Sequence, residues 1–559
     1  MIAGGSIPAL DLSVYDVLKK TSQELPDNIA YEYLGHSETY RSFVEQVDVL
    51  SLHLRKMGVR QGDKVIICLP NCPQALISFY ALSRLGAISV MVHPLSSKSE
   101  IEFFIKDSGS KIAVTLARFA DNFPEVDSIE GFDTLIVASP VDMMPALSRG
   151  LAKLFSKESR MPKGPLGPGR ITWKDMMKQD VGQVDQSMPH IAADDPASIL
   201  YTGGTTGRNK GAVHSSTSFN STSMGMIELS GVLGEGTTML ANMPMFHGFG
   251  LCTCVHLPVC IGLRIILVPT FTLESLADII TKKQVNYLAG VPTLFEKLFV
   301  DEYLRNKDLS FIKGIFCGGD SISIDSKARI DKFLKDHGCG TFIRLGYGCT
   351  ECLTATAITP KFEERPGSVG VPIPGFAFKI ADVETAAEVP DGETGEICIN
   401  GPSVMMEYYN NPEETAMTLK THDDGKVWLH TGDVGIIKDG FIYFTNRIKR
   451  IIITSGYNVY PSQIEHVLNQ HPYVDSSCVI GVPDPLRGTK VKAVLVLKPG
   501  IEQSDEVMDS ISQYVKETTS AYAKPREYEV VDSLPRTKLG KVDYRALEAK
   551  ECGTEDQKQ

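Results

Sequence analysis

Across 559 residues the sequence holds no run of five or six like charges, and its net charge is −12. A nucleic-acid surface needs clustered lysine and arginine to meet phosphate, so that class of partner is excluded. Met1 to Leu10 has no basic stretch leading into an apolar one, so no secretory leader is expected. The best candidate for a membrane span, Val255 to Phe271, is broken by Pro258 and Arg264 and is too short. The 12 cysteines fall into no framework of spacings, which suggests reduced thiols in a cytoplasm. No segment repeats with the period of a solenoid or propeller. What is present is ordinary for a globular enzyme: 43% hydrophobic and 22% charged residues, in a chain too long for one core.

From Asp63 onward short apolar runs alternate with amphipathic ones. Lys64–Leu69, Ile88–Val92 and Lys111–Thr115 read as strands, with helices over Pro73–Gly86 and Lys98–Asp107. The rhythm returns at Arg264–Val268, Leu273–Gln284, Val285–Ala289, Thr293–Leu304 and Phe311–Phe316. Such alternation predicts βα units and a largely parallel sheet buried on both faces. Met143–Arg170 interrupts it. That stretch is either a surface insertion and linker or an amphipathic patch for lipid, since Arg149, Lys153, Lys157 and Arg160 interleave with Leu147, Leu151, Leu154 and Phe155. After Gly435 the pattern becomes strands, with Gly435–Lys438 and Phe441–Thr445 joined at the turn Asp439-Gly440. The tail beyond Arg450 has the length of a small domain. Its expected strands are Ser476–Gly481, Val491–Leu497 and Glu527–Val531, and its helices Ser462–Gln470 and Asp505–Thr518 behind the N-cap Ser504.

The run Tyr201 to Gly211 packs four glycines, three threonines and Lys210 behind the apolar Ala197–Leu200. Glycine lets a main chain approach an anion and successive N–H donors cradle it, so the loop suits a polyphosphate. It is not a P-loop: Asn209 stands where the second glycine would be, and Gly211 rather than serine or threonine follows Lys210. No dinucleotide fingerprint of spaced glycines follows a strand either.

The loop does match the phosphate-binding signature of the adenylate-forming superfamily of acyl-CoA synthetases, adenylation domains and luciferases. Further segments resemble that family's motifs in order: Gly318-Gly319-Asp320, Gly346-Tyr347-Gly348-Cys349-Thr350-Glu351, Thr431-Gly432-Asp433, Asn446-Arg447-Ile448-Lys449, Gly456-Tyr457-Asn458-Val459-Tyr460-Pro461 and Pro535 to Lys541. The chain is most similar to long-chain fatty acid–CoA ligases, and the resemblance spans nearly all of it. Two positions depart from the pattern: Asn209, where many relatives have proline, and Asn446, where Asp or Gly is common.

The resemblance implies an α/β fold, with a large multi-sheet N-terminal adenylation domain over 1–447 and a small mobile α+β domain over 448–559. It implies an ATP- and Mg²⁺-dependent reaction in which a carboxylate forms acyl-AMP and pyrophosphate, and coenzyme A then displaces AMP. Two anions meet in the first step, so positive charge and in-line positioning are what catalysis must supply. By the same resemblance Thr202, Gly203, Gly204, Thr205, Thr206, Gly207 and Lys210 hold phosphates, and Glu351 holds Mg²⁺. Thr350 reaches the α-phosphate, with Gly348 beside it in the same motif, and Lys541 bridges carboxylate and α-phosphate. Gly318, Gly319 and Tyr347 take adenine, while Asp433 and Arg447 take ribose. Lys449 is the hinge, and Ser455, Gly456 and Tyr457 line the pantetheine tunnel. His247, in Met243–Gly250, together with Val291, Cys317 and Gly346, lines the acyl pocket.

Rival readings remain at this stage: a CoA ligase for an aromatic or bulky acid, an acyl-AMP ligase loading a carrier protein, or a nucleotide-binding protein without catalysis. His247, Cys252, Cys254 and His256 suggest metal ligands, but their spacing fits no zinc pattern and their context is apolar, which favours packing. Cys349 and Cys352 have the spacing of a redox pair, yet they lie inside the adenylate motif, and a redox role is not expected there. Trp173 and Trp428 are expected as packing anchors.

Overall fold

A computed structural model of the protein describes residues 1–6, 10–144, 167–181, 188–202, 209–300, 302–361, 363–383, 385–450, 452–454, 457–459, 461–484, 488–519, 523–537 and 542–551. The basic and apolar stretch 145–166 therefore lies outside the described residues. Two compact units emerge: Ile2–Phe378 with Ile399–Leu429, and Lys379–Cys398 with His430–Gln559 and Met1.

Two large sheets organise the first unit. One has seven strands in the order Lys210–Ser215, Pro196–Thr202, Ile88–Met91, Lys64–Cys68, Ile112–Leu116, Thr134–Ala138 and Arg170–Thr172. Its neighbours are parallel except for the terminal pair, an antiparallel hairpin. Alternate side chains of Lys64–Cys68 enter two different apolar clusters, Val65 and Ile67 on one side and Ile66 and Cys68 on the other. A strand buried on both faces must be apolar at every position, which explains the unbroken run Val65–Leu69. Helix Pro73–Leu85 lies in the cluster on the Val65 side, opened by proline at its first turn and closed by Gly86 at φ 66°.

The second sheet has nine strands, with Ile343–Gly348, Gly314–Cys317, Tyr287–Gly290, Thr238–Ala241 and Arg264–Leu267 parallel and adjacent in that order. Ile265, Leu267, Ala289 and Phe316 share the same cluster as Val65 and Ile67, so one core lies between the two sheets. The strand expected at Phe311–Phe316 instead begins at Gly314, because Phe311 and Ile312 form the turn that brings the chain into register with Asn286. The apolar stretch Val255–Phe271 is no continuous span: it runs from the end of a buried π-helical turn, Phe249–His256, through a short helix into the strand Arg264–Leu267. Among the described residues no helix is long and apolar enough to cross a membrane.

The hairpin Val427–Lys438 and Phe441–Arg447, in the second unit from His430 onward, turns at Asp439-Gly440, both at positive φ. Helix Pro461–Gln470 precedes the antiparallel pair Val474–Asp484 and Gly488–Leu497, to which Glu527–Val530 adds in parallel. Val479, Ala493 and Leu495 face one cluster with helix Asp505–Thr518, while Ile480 and Val494 face another with Leu547 of helix Tyr544–Glu551. The mixed α/β architecture is the one anticipated.

Candidate active site

Parallel strands leave their carboxyl ends along one edge, where loops gather chemistry. At this edge Gly290, Cys317 and Leu345 are level in the register, so Val291, Gly318 and Gly346 follow side by side. Gly318 donates its N–H to the Gly290 carbonyl, and a side chain there would press on the Gly346 carbonyl at 3.2 Å. Gly319 takes φ 82°, which favours glycine. Tyr347, nearly buried, meets Phe378 edge-on at 6.2 Å. Cys317 is itself buried in the apolar cluster under this edge.

The motif after Tyr347 folds back sharply. A Cβ on Gly348 would lie 1.9 Å from the Thr354 carbonyl oxygen, so only glycine fits. Thr350–Cys352 make one 3₁₀ turn, and the Thr354 N–H reaches the Cys352 carbonyl at 2.9 Å around Leu353, at φ 69° and ψ −57°. That is a γ-turn at a buried leucine, a strained conformation that surrounding structure must impose. The Leu353 carbonyl lies where only glycine leaves room for it: a Cβ on Gly248 would sit 1.7 Å from its oxygen. The segment Met243–Gly250 thus abuts the Thr350–Glu351 turn through bare backbone. Within it the Phe249 N–H donates to His247 Nδ1 at 3.2 Å, and the Phe246 ring meets that of His93.

The glycine–threonine loop hangs from the hairpin Pro196–Thr202 and Lys210–Ser215, with Thr202 opposite Lys210. Gly203, Gly204, Thr205, Thr206 and Gly207 lie outside the described residues, but the base of their loop is therefore closed by paired backbone. Lys210 pairs with Glu414 and lies 5.1 Å over the Tyr408 ring. The Tyr408 hydroxyl donates to Glu351 Oε1 at 2.6 Å, and the Met405 N–H donates to the Glu351 carbonyl at 2.8 Å. Burial, reinforced by the Glu351 charge, raises the Tyr408 phenol well above its ordinary range, so it stays a donor. His214, fully buried, contributes Nε2 to the Thr350 carbonyl at 2.8 Å. Burial lowers it to about 4, so the ring is neutral and Nε2 carries the proton that the carbonyl accepts.

In the second unit Asp433 is buried with Arg447 Nε 2.9 Å from its Oδ1, the two residues facing each other across the hairpin. Thr431 Oγ1 donates to the Ile397 carbonyl at 2.7 Å and accepts from the Asp433 N–H at 3.1 Å. Glu396 accepts from the Gly432 N–H at 2.8 Å and meets His430 Nδ1 at 2.6 Å, fixing the turn at Gly432. Ile448–Arg450 make a 3₁₀ turn, and the Arg450 guanidinium is held by Glu465 and lies over Tyr544 at 4.9 Å. The side chains of Lys449 and Tyr457, and Ser455, Gly456 and Lys541 entirely, lie outside the described residues. Arg536 and Val542 pair as an antiparallel bridge, and the Asp543 N–H reaches the Pro535 carbonyl at 2.8 Å, so the loop carrying Lys541 is likewise closed at its base.

A family model for AMP-binding enzymes matches residues 18–409, and one for the AMP-binding enzyme C-terminal domain matches 463–541. A long-chain fatty acid–CoA ligase of Bacillus subtilis is 31% identical over 546 residues, covering 97% of this chain and 95% of the relative. The chain belongs to the AMP-binding enzyme family. It is an AMP-forming acid–thiol ligase. Among solved structures, the anthranilate CoA ligase AuaEII in complex with anthranoyl-AMP superposes with a TM-score of 0.82 at 23% identity, over 98% of each chain. ATP-bound MatB from Rhodopseudomonas palustris does so with a TM-score of 0.78 at 25% identity, over 96% of this chain and 99% of its own.

Within this AMP-binding fold the sequence-predicted Thr202, Lys210, His247, Val291, Cys317, Gly318, Gly319, Gly346, Tyr347, Gly348, Thr350 and Glu351 fall in the first unit, and Asp433 and Arg447 in the second. Tyr408, Glu414, His214 and Glu396 went unread. An asparagine ahead of Pro412 is the one local signal that could have placed this helix, since the Asn411 side chain accepts from the Glu414 N–H, but nothing local marks Glu414 as the partner of Lys210.

Proposed function

We propose that this ligase activates a fatty acid with ATP and transfers the acyl group to coenzyme A. The observation that carries the reading is the chain of contacts from Lys210, at the foot of the glycine–threonine loop, through the Tyr408 ring to Glu351 beside Thr350. It makes one polar surface of two segments expected to hold the same triphosphate. The fatty acid is supported by the name of the Bacillus subtilis relative and by the apolar Met243–Gly250 segment packed on the catalytic turn.

In this reading Thr202 and Lys210, with Gly203 to Gly207, bind the β- and γ-phosphates, and Thr206 and Thr350 orient the transferred group. Glu351 suits Mg²⁺ because it offers carboxylate oxygen to a hard cation, oriented by Tyr408. The ion supplies charge neutralisation on the phosphates when bound. His247 lies beside the acyl carboxylate, with Val291, Cys317 and Gly346 forming the base of its pocket. Tyr347, Gly318 and Gly319 take adenine, Asp433 the ribose hydroxyls with Arg447 beside it, and Ser455, Gly456 and Tyr457 the pantetheine arm. Lys541 brings an ammonium to the α-phosphate only for the first step. The working division is 1–447 and 448–559 about Lys449. The protein acts in the cytoplasm, and the interleaved basic and apolar residues of the sequence Met143–Arg170 suit peripheral contact with a membrane surface.

Pyrophosphate release measured across saturated, aromatic and polycyclic acids tests the substrate class. Medium- and long-chain fatty acids should give the highest kcat/KM, and free coenzyme A should accelerate AMP release. A consistent preference for aromatic acids would overturn the fatty-acid reading, and AMP release indifferent to coenzyme A would replace it with a carrier-protein acceptor.

A further inference from the structure

The sulfurs of Cys349 and Cys352 lie 3.6 Å apart at the two ends of the turn that carries Thr350 and Glu351. Their spacing is built into the backbone: the Cys349 N–H donates to Cys352 Sγ at 3.2 Å, and the reciprocal cap from the Cys352 N–H to Cys349 is also made. Cys352 is fully buried and anchored against the Thr354 carbonyl at 3.4 Å and Thr356 Oγ1 at 3.8 Å. Cys349 is half-buried, the member of the pair open to a small solute. A disulfide needs the sulfurs at about 2.05 Å, so with Cys352 held the remaining approach is made by the Cys349 side chain together with the backbone that carries it. The turn they would bridge runs directly into the strained one, the γ-turn at Leu353, whose carbonyl lies against Gly248.

We propose that Cys349 and Cys352 are a reversible oxidation site, at which a peroxide closes a disulfide across the Thr350–Glu351 turn and halts adenylation. The Cys349 thiolate attacks a peroxide oxygen, breaking the O–O bond and leaving a sulfenic acid and water or an alcohol. Cys352 sulfur then attacks the Cys349 sulfur, the S–S bond forms, and the S–O bond breaks with the thiol proton leaving in water. Two thiols lose two electrons and the peroxide gains them. A dithiol reductant reverses the step by exchange. The bond draws Cys349 toward an immobile Cys352, so Thr350 and the Glu351 carboxylate leave the positions set by His214 and Tyr408. The inhibitory effect rests on the adenylating role proposed for Thr350 and Glu351, whereas the crosslink does not.

The full-length reduced protein is treated with graded hydrogen peroxide, alkylated and mapped by peptide mass spectrometry, alongside pyrophosphate release. A Cys349–Cys352 crosslink, two hydrogen masses lighter, should form before other cysteines oxidise. Activity should fall on the order of 10- to 100-fold, as small displacements at a reacting centre do, and return with dithiothreitol. Cys349→Ser, which keeps a cap acceptor, should retain its activity after peroxide and form no crosslink. Cys352→Ala serves the same purpose if that variant folds poorly. Absence of the crosslink, or a crosslinked enzyme of unchanged rate, overturns the proposal. A reduced enzyme that releases no pyrophosphate with any acid would instead refute the functional reading, leaving the mass result to stand on its own.

Discussion

Tyr408 donates to Glu351 through a phenol that burial keeps protonated, and its ring faces the Lys210 ammonium. Removing the hydroxyl alone leaves the ring and the cation contact in place. A hydrogen bond to a charged group is worth about 1.5–3 kcal/mol, which in a rate corresponds to about 10- to 150-fold. Tyr408→Phe is therefore expected to lower acyl-AMP formation by at least about tenfold and to raise the Mg²⁺ concentration needed for half-maximal rate. A rate and Mg²⁺ requirement equal to the parent's would show that Glu351 needs no orientation from Tyr408. The pairs at this scale were the least legible in the sequence. Tyr408 and Glu351 are 57 residues apart, Lys210 and Glu414 204, and His214 and Thr350 136. Each partner lies on a strand, helix or turn whose own pattern is satisfied without it, so no local period reveals the contact. Leu353 is a harder case still, since leucine gives no sign of a left-handed backbone, and the glycine that makes room for its carbonyl, Gly248, stands over a hundred residues earlier.

At the level of elements the reverse holds. Strands buried on both faces announce themselves as unbroken apolar runs, and Lys64–Cys68, Ile88–Met91 and Arg264–Leu267 lie within a residue or two of where such runs put them. The helix over Asp505–Thr518 begins where Ser504 caps it, with the hydroxyl accepting from the Val507 N–H. The π-helical turn Phe249–His256 carries no comparable signal, because all its residues are buried and periodicity vanishes. Its last residue is instructive: His256 spends its ring nitrogens on the Tyr80 hydroxyl and Asn220 Oδ1, and burial lowers it to about 3. With His214 at about 4, two histidines stay neutral in the folded protein at a pH where the unfolded chain protonates them. Their folded values lie below the ordinary one, so the unfolded state binds more protons as pH falls. Their stabilising contribution is complete above about pH 7 and is lost from about pH 6.5 down to about 4 for His214 and about 3 for His256, at about 1.4 kcal/mol per pH unit for each group. Urea midpoints at pH 7.5 and 5.5 should differ accordingly, and His256→Gln should reduce the slope by about half. Equal midpoints at the two pH values would mean that neither ring is held neutral.

For the molecule as a whole, the chemistry sets two incompatible demands. In the proposed reaction, acyl-AMP formation uses the Lys541 ammonium at the α-phosphate and thioester formation uses that space for a thiol, so the lysine is proposed to leave before the second step. Lys449, the proposed pivot, lies between two fastened points. Asp433 and Arg447 are fastened across one hairpin, while Arg450, three residues on, is fastened to Glu465 of the helix Pro461–Gln470. Only Ile448 and Lys449 lie between those two anchors. Lys541→Ala is thus expected to abolish acid-dependent pyrophosphate release while leaving thioester formation from supplied acyl-AMP largely intact. Lys449→Pro, which fixes φ at the joint, should do the opposite, sparing the first step and slowing the second. Single-turnover measurements of each half-reaction separate the two outcomes. If both substitutions depress both steps equally, the ammonium serves throughout the cycle and no rearrangement at 448–449 divides it.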